Sequence, residues 1–190
     1  LIVVVAKDEI AFVEEMLEKA QGLKPWRVVQ GGAERQYSIA NGMAHLAADA
    51  DIVLVHDAAR PLVSLAAIEA VISAAREKGA AIAAVRAKNT IKVVGEDGRV
   101  EATPARASLW EVQTPQGFRR EILQRAYEKA AQDGFLGTDD ASLVERIGEA
   151  VFVVESDYGN LKITTPEDLW MAEALLAHSA GIVDEMKVTI

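Results

Sequence analysis

The chain of 190 residues is half hydrophobic, sets 20 Lys and Arg against 29 Asp and Glu for a net charge of −9, and has no cysteine. Such a chain is long enough for one domain with a real core, is not disordered in composition, and has no disulfide framework. Its acidity argues against nucleic-acid polymers as partners. No apolar run approaches the ~20 residues that cross a bilayer, and no signal peptide is evident, so no membrane partner is expected and the cytoplasm is the expected compartment.

In chain order, the β-branched run Leu1 to Val5 reads as a buried strand. Asp8 is positioned to cap a helix with Phe12, Met16, Leu17 and Ala20 on one face. Trp26 to Gln30 reads as a second strand ending in Gly31-Gly32, and a helix opens in Ala33-Glu-Arg-Gln-Tyr-Ser-Ile39 and runs to about Ala48. The continuous apolar run Ile52 to Val55 predicts a strand buried on both faces. Helix Leu65 to Lys78 and strand Ala81 to Val85 follow, giving the alternation of a doubly wound α/β sheet.

That alternation breaks where Thr90 to Val94 and Arg99 to Ala102 flank Gly95-Glu-Asp-Gly98, a hairpin signal. The hairpin is expected to project as an arm over about 88–106, its open edges covered by a second copy in a homodimer. Trp110 to Gln116 returns to the sheet, Arg119 to Asp133 is a helix closed by Gly134, and Thr138-Asp139-Asp140 caps a short helix through Ile147. Val151 to Val154 and Gly159 to Thr164 read as strands, and Pro166 opens the last helix with Glu167 and Asp168 in its first turn. The chain opens inside a strand without an initiator Met and closes on a strand-like Met186 to Ile190, as a piece of a longer polypeptide would.

Chemistry concentrates at His56-Asp-Ala-Ala-Arg-Pro61, directly after the Ile52 to Val55 strand. Open α/β sheets collect ligands beyond the carboxyl ends of their strands. There Asp57 can hold a metal ion already bound to phosphates, Ala58 and Ala59 admit a ligand close to the backbone, and Arg60 can grip an anion. An isolated strand-end Asp also serves as a turn residue or cap. Gly31-Gly32, between strand and helix, offers outward N–H groups to a phosphate or base, although tight turns use glycine for structure as well. Lys162 sits between Leu161 and Ile163, so in an alternating strand it points to the opposite face; its alternative role is an edge charge that discourages aggregation. Neither G-x-G-x-x-G nor a P-loop occurs, and three scattered histidines without cysteine make no zinc site.

The string His56 to Pro61 resembles the signature of the 2-C-methyl-D-erythritol 4-phosphate cytidylyltransferases. Gly31-Gly-Ala-Glu-Arg-Gln-Tyr-Ser38 is similar to that family's cytidine-reading segment, and Gly159-Asn-Leu-Lys-Ile-Thr-Thr-Pro-Glu-Asp168 is a third match. Arg106, Thr114-Pro115-Gln116 and Thr138-Asp139-Asp140 complete the set in the right order. The resemblance implies a Rossmann-like nucleotidyltransferase sheet with helices on both faces and a projecting hairpin arm, in a single domain over 1–190, dimeric through the arm. It also implies Mg²⁺-dependent transfer of CMP from CTP to a polyol phosphate. Carried over, Gly31, Gly32, Ala33, Arg35 and Ser38 hold the cytidine, while Asp57 and Ala58 lie near ribose, phosphates and the metal, with Asp57 as metal ligand. Arg60, Thr114, Thr138 and Lys162 bind the polyol phosphate, with Thr90 and Arg106 reaching the partner's site; Lys162 and Arg106 position the attacking phosphate.

Two departures accompany the match. The family's glycine-rich Ala-Ala-Gly-x-Gly-x-Arg loop does not occur, and the chain begins where the family's second strand would be, so a first strand and loop are expected to be missing. Ala33 stands where an acidic residue would also fit. A ribitol 5-phosphate cytidylyltransferase, or a non-catalytic binding or dimerisation relative that lost the loop, remains an open alternative.

Overall fold

The run Ile2-Val-Val-Val5 forms a strand because β-branched side chains suit the pleated backbone. In the computed structural model, which describes residues 1–179, the first elements are β1 (Ile2–Val5), α1 (Ile10–Lys19), β2 (Arg27–Gln30), α2 (Arg35–Met43) and β3 (Ile52–Val55). Then come α3 (Leu65–Lys78), β4 (Ala80–Arg86), the short strands β5 (Val93–Val94) and β6 (Val100–Ala102), and β7 (Trp110–Arg119). Helices α4 (Arg120–Asp133) and α5 (Asp140–Arg146), strand β8 (Phe152–Glu155) and helix α6 (Pro166–Ser179) follow. Met186 to Ile190, expected as a strand, lies outside the described residues.

The chain divides into two compact units: residues 1–53 with 119–150, and residues 54–118 with those from 151 onward. In the first, β1 and β2 pair in parallel, Ile2 opposite Arg27 and Val5 opposite Gln30. Helix α2 packs on both strands and α1 on β2, while α4 packs on α5 through buried Leu123, Ala126, Leu143 and Val144. Helix α1 differs from expectation. Its residues are not buried, and Phe12 and Met16 stand exposed on the face read as core. Asp8 belongs to a 3₁₀ turn ahead of the helix instead of capping it, and the Glu9 carboxylate accepts from the Ala6 N–H at 3.2 Å. Helix α2 stops at Met43 rather than Ala48, because N–H groups of His45 and Leu46 turn back to the carbonyls of Gly42 and Met43 in tight three-residue steps.

The second unit is organised by a four-stranded sheet of order β3-β7-β4-β8. Strand β4 runs parallel to β8 but antiparallel to β7, Ala80 opposite Phe118 and Arg86 opposite Trp110. The sheet is therefore mixed. Strand β4 feeds the hairpin, and the chain returns from it as β7, which brings β7 back antiparallel beside the strand it left. Helix α3 begins at the capping Ser64, whose hydroxyl accepts from the Ala67 N–H, and buries Ala67, Val71 and Ala75. It packs on β4 and β8, where Ala80 to Val85 are all buried. Close approach explains Gly117 on β7: a Cβ there would lie 2.8 Å from Val71 Cγ1 and 3.0 Å from Leu54 Cδ2. In β3 burial alternates, with Val53 and Val55 inside and Ile52 and Leu54 half-covered, so the strand is not buried on both faces.

The hairpin forms where the turn residues place it. Strands β5 and β6 pair antiparallel around Gly95 to Gly98, and Gly98 supplies the positive φ of +81° that the turn requires. Every residue of the two strands is exposed. One expected strand does not form: Gly159 to Thr164 is irregular backbone. Its ladder donors go elsewhere, the Ile163 N–H to the Ala59 carbonyl at 2.8 Å and the N–H groups of Thr164 and Thr165 to the Asp168 carboxylate that caps α6.

Candidate active site

Strand β3 ends at Val55 and the chain closes a tight turn in which the Arg60 N–H donates to the Asp57 carbonyl at 2.9 Å. The turn is bound to β7 at one point. Thr114 Oγ1 accepts from the Asp57 N–H at 3.0 Å and lies 3.1 Å from His56 Nδ1, while His56 Nε2 lies 3.1 Å from the Arg60 carbonyl. With the imidazole neutral and its proton on Nε2, this is one directional chain: Asp57 N–H to Thr114, Thr114 O–H to Nδ1, Nε2–H to Arg60.

The segment after β8 closes over this turn as a strap. Lys162 Nζ donates to Asp57 Oδ2 at 2.9 Å, with the lysine side chain 43% exposed and the aspartate 16%. Arg60 Nη1 donates to the Asn160 carbonyl at 2.7 Å. Burial pulls the Arg60 guanidinium below its usual pKa, and the nearby Asp57 charge works in the other direction. Thus Asp57, Ala58, Arg60, Thr114 and Lys162, far apart in sequence, are neighbours. An acid, two cations and a hydroxyl around one strand end suit the binding of phosphate groups.

Gly31 and Gly32, expected to face a nucleotide, have a local structural reason. A Cβ on Gly32 would lie 2.5 Å from Tyr37 Cβ, and one on Gly31 would lie 2.8 Å from Ser38 Oγ, so α2 could not start where it does. Ser38 Oγ accepts from the Gly32 N–H at 3.0 Å and donates to the Glu34 carbonyl at 3.1 Å, closing the turn through exposed Ala33. Arg35 Nη1 sits 2.9 Å from Asp140 Oδ2, and Tyr127 donates its hydroxyl to the other oxygen of that acid. Asp140 has no exposed side-chain surface; burial raises its pKa, opposed by the Arg35 charge and the Tyr127 hydrogen bond. Burial, with the Asp140 charge, pushes the Tyr127 hydroxyl far up as well.

Thr138 lies in the first unit, and Asp57, Arg60, Thr114 and Lys162 in the second. Its loop is tied to α2 by Gln36, which accepts from the Gly137 N–H at 2.9 Å and donates to the Phe135 carbonyl at 3.0 Å. Thr90 and Arg106 lie at the two ends of the arm, where Arg106 Nη1 donates to the Lys88 carbonyl at 3.1 Å. The arm's root is also fixed by Tyr158, whose ring carries Lys88 Nζ 3.4 Å from its centroid and whose hydroxyl donates to the Arg86 carbonyl.

Sequence reasoning gave no role to Gln36, Tyr127 or Asn160. Asn160 stood inside a quoted motif, and its apolar-strand setting concealed it; Gln36 and Tyr127 have no local pattern that reports their distant partners. Among the described residues no group of three or more His, Cys, Asp or Glu is arranged to hold a metal. None of the described helices is long and apolar enough to cross a membrane.

Comparison with known proteins gives the family and the fold. The family model of 2-C-methyl-D-erythritol 4-phosphate cytidylyltransferase, IspD, matches residues 1–178. A protein of that name from Caldanaerobacter subterraneus is 49% identical over 177 residues, covering 93% of this chain and 78% of the relative. Another from Bacillus pumilus is 48% identical over 182 residues, covering 95% and 79%. The crystal structure of 4-diphosphocytidyl-2C-methyl-D-erythritol synthase from Anaerococcus prevotii superposes with a TM-score of 0.85 at 37% identity, over 92% of this chain and 80% of that one. The Thermus thermophilus 2-C-methyl-D-erythritol 4-phosphate cytidylyltransferase does so with a TM-score of 0.75 at 32% identity, over 93% and 98%. Matched along almost its whole length and at close to half its positions, the chain belongs to the 2-C-methyl-D-erythritol 4-phosphate cytidylyltransferase family.

Proposed function

We propose that this chain transfers CMP from CTP to 2-C-methyl-D-erythritol 4-phosphate, releasing pyrophosphate, as a cytoplasmic step toward isoprenoid precursors. The observation that supports this most is the Asp57–Lys162 pair at 2.9 Å on the turn that also presents Arg60. An oxygen of the phosphate monoester attacks the α-phosphorus of CTP. A new P–O bond forms, the bond from that phosphorus to the bridging oxygen breaks, and pyrophosphate leaves with its electron pair. Positioning and charge neutralisation do the work. Lys162 and Arg60 gather the incoming phosphate, and Lys162 exchanges Asp57 for phosphate oxygens as the anions arrive. The segment Gly31 to Ser38 receives the cytidine.

A magnesium ion suits Asp57, since Mg²⁺ is ordinarily held by one or two carboxylates together with substrate phosphates rather than by a full protein cage. Asp57 is a half-buried carboxylate at a strand end with a cation already beside it. When bound, the ion neutralises the triphosphate. The exposed apolar side chains Val93, Val94 and Val100 on the arm support a homodimer built through it.

The test follows pyrophosphate release by the polypeptide as encoded, with CTP, Mg²⁺ and either 2-C-methyl-D-erythritol 4-phosphate or ribitol 5-phosphate. Turnover is expected with the first and is expected to stop on chelation. Preference for ribitol 5-phosphate, or no turnover with either, would overturn the reading. Deletion of residues 89–103 should leave a monomer in light scattering, and a persisting dimer would remove the arm from the interface.

A further inference from the structure

Asn160 is the only residue of the strap with no exposed surface, and its hydrogen bonds run to β7, to Asp157 and to Arg60 of the turn. Its Nδ2 donates to Gln113 Oε1 at 3.0 Å and to the Thr114 carbonyl at 2.9 Å. Its N–H donates to Asp157 Oδ1 at 3.1 Å within the strap, and Gln113 Nε2 donates to the Asp157 carbonyl at 3.1 Å, which joins the strap's start to β7. Its own carbonyl accepts from Arg60. Two residues on, Lys162 reaches Asp57. One buried side chain thereby fixes, through its backbone, where both cations stand.

We propose that Asn160 is a positioning residue for the transfer reaction: held by Gln113 and Thr114, it sets the spacing of Arg60 and Lys162 around the incoming phosphate monoester. The proposal rests on the function given above. Three observations favour a geometric role over simple packing. The carboxamide spends both N–H donors on β7, the strand that also bears Thr114. Its Oδ1, although buried, has no hydrogen-bond partner, and Arg60 Nε is likewise buried and unpartnered. A purely structural amide would be expected to satisfy its acceptor. These unpaired groups sit on the two residues joined by the Arg60–Asn160 bond, where orientation of the guanidinium is decided. Asparagine is also the side chain that fits. Aspartate would face two acceptor oxygens with a charge and would neutralise Arg60, and alanine would leave Gln113 and the Thr114 carbonyl without donors.

The test compares Asn160→Ala and Asn160→Asp with Lys162→Ala and the corresponding double variants, in the polypeptide as encoded. Asn160→Ala should raise KM for 2-C-methyl-D-erythritol 4-phosphate and lower kcat, together by about 10²-fold, the cost of misplacing reacting groups by roughly an ångström. KM for CTP should stay within about threefold of the parent, because the positioned groups face the other substrate. The variant Asn160→Ala with Lys162→Ala should lose less than the product of the two single effects, since Asn160 acts partly through that lysine and partly through Arg60. Asn160→Asp keeps the volume and loses the donors; it should show the same split in KM, and it serves if the alanine variant does not fold. Equal loss with both substrates, or additive effects in the double variant, would overturn the proposal. Parent-like turnover by Lys162→Ala would instead overturn the site assignment, and this proposal with it.

Discussion

Arg35 and Lys162 each meet an aspartate at 2.9 Å, yet the two pairs are different objects. Asp140, facing Arg35, is wholly buried and has Tyr127 on its second oxygen. Asp57, facing Lys162, is 16% exposed, while the two cations are exposed nearly alike, Arg35 at 38% and Lys162 at 43%, so the difference lies in the acids. A buried carboxylate cannot release its cation without facing an uncompensated desolvation penalty. An open pair separates at little cost, because water replaces each partner for the other. An open acid lets Lys162 change partners, as the proposed reaction requires, whereas Arg35 ties the start of α2 to Asp140 at the start of α5. Distance alone would have ranked them equal.

The largest effect should come from breaking the buried pair on its cationic side. Arg35→Met leaves the buried Asp140 carboxylate without its cation and should lower stability in urea unfolding by about 1–3 kcal/mol, the usual cost of leaving a buried polar group short of a partner. A loss below about 1 kcal/mol, the level of a surface pair, would mean that the two pairs do not differ. Lys162→Ala should do the opposite. Stability should change by less than about 1 kcal/mol, while turnover at saturating CTP falls by ~10²–10³-fold, as when one preorganised electrostatic group is removed. Lys162→Arg should restore only part, since a planar fork does not replace a compact ammonium. Unimpaired turnover would return Lys162 to an ordinary surface charge.

A smaller effect sharpens the contrast through pH. Burial raises the Asp140 pKa above its ordinary value, so the folded state holds that proton more tightly than the unfolded chain. The stability this gives is fully present below the unfolded pKa, about 4, and is lost as pH rises through the raised folded value. Subtracting the stability of Asp140→Asn from that of the parent should leave a difference that falls from acid toward neutral pH; a flat difference would place Asp140 in an ordinary environment. Smallest is Asp168, whose pKa is lowered chiefly by the N–H groups of Thr164 and Thr165. Its sign is reversed: the contribution is present above the unfolded pKa and is lost as pH falls through the lowered one. Asp168→Ala should bring a slight fall in melting temperature at neutral pH that shrinks in acid, and an unchanged melting temperature would count against the cap.

Local signals were legible because the physics behind them is local. Asp139 before Asp140 and Gly134 after Asp133 mark helix ends that the structure reproduces. The Asp57 turn and Lys162 could be singled out because charges at strand ends and inside apolar runs are conspicuous. What the residues could not reveal depends on partners distant in sequence. The antiparallel place of β7 follows from a hairpin's return path, and the failed strand at Gly159 to Thr164 from Asp168 and Ala59 taking its hydrogen bonds. Phe12 and Met16 have helical spacing, but that spacing does not say whether anything covers them. The burial of Asp140, which separates its pair from that of Asp57, depends on Tyr127, thirteen residues before it in the chain.

The strap from Asp157 to Ile163 has one more consequence, which concerns length. Surface segments without regular structure ordinarily absorb added or deleted residues with little harm. This one is fastened at nearly every step: Asp157 to Gln113, Tyr158 to the arm's root, Asn160 to Arg60, Lys162 to Asp57 and Ile163 to Ala59. A single residue added after Gly159 would put each later side chain out of phase with its anchor, and slack gained anywhere would be felt at the lysine. The segment behaves as a ruler, irregular in shape but fixed in its number of divisions.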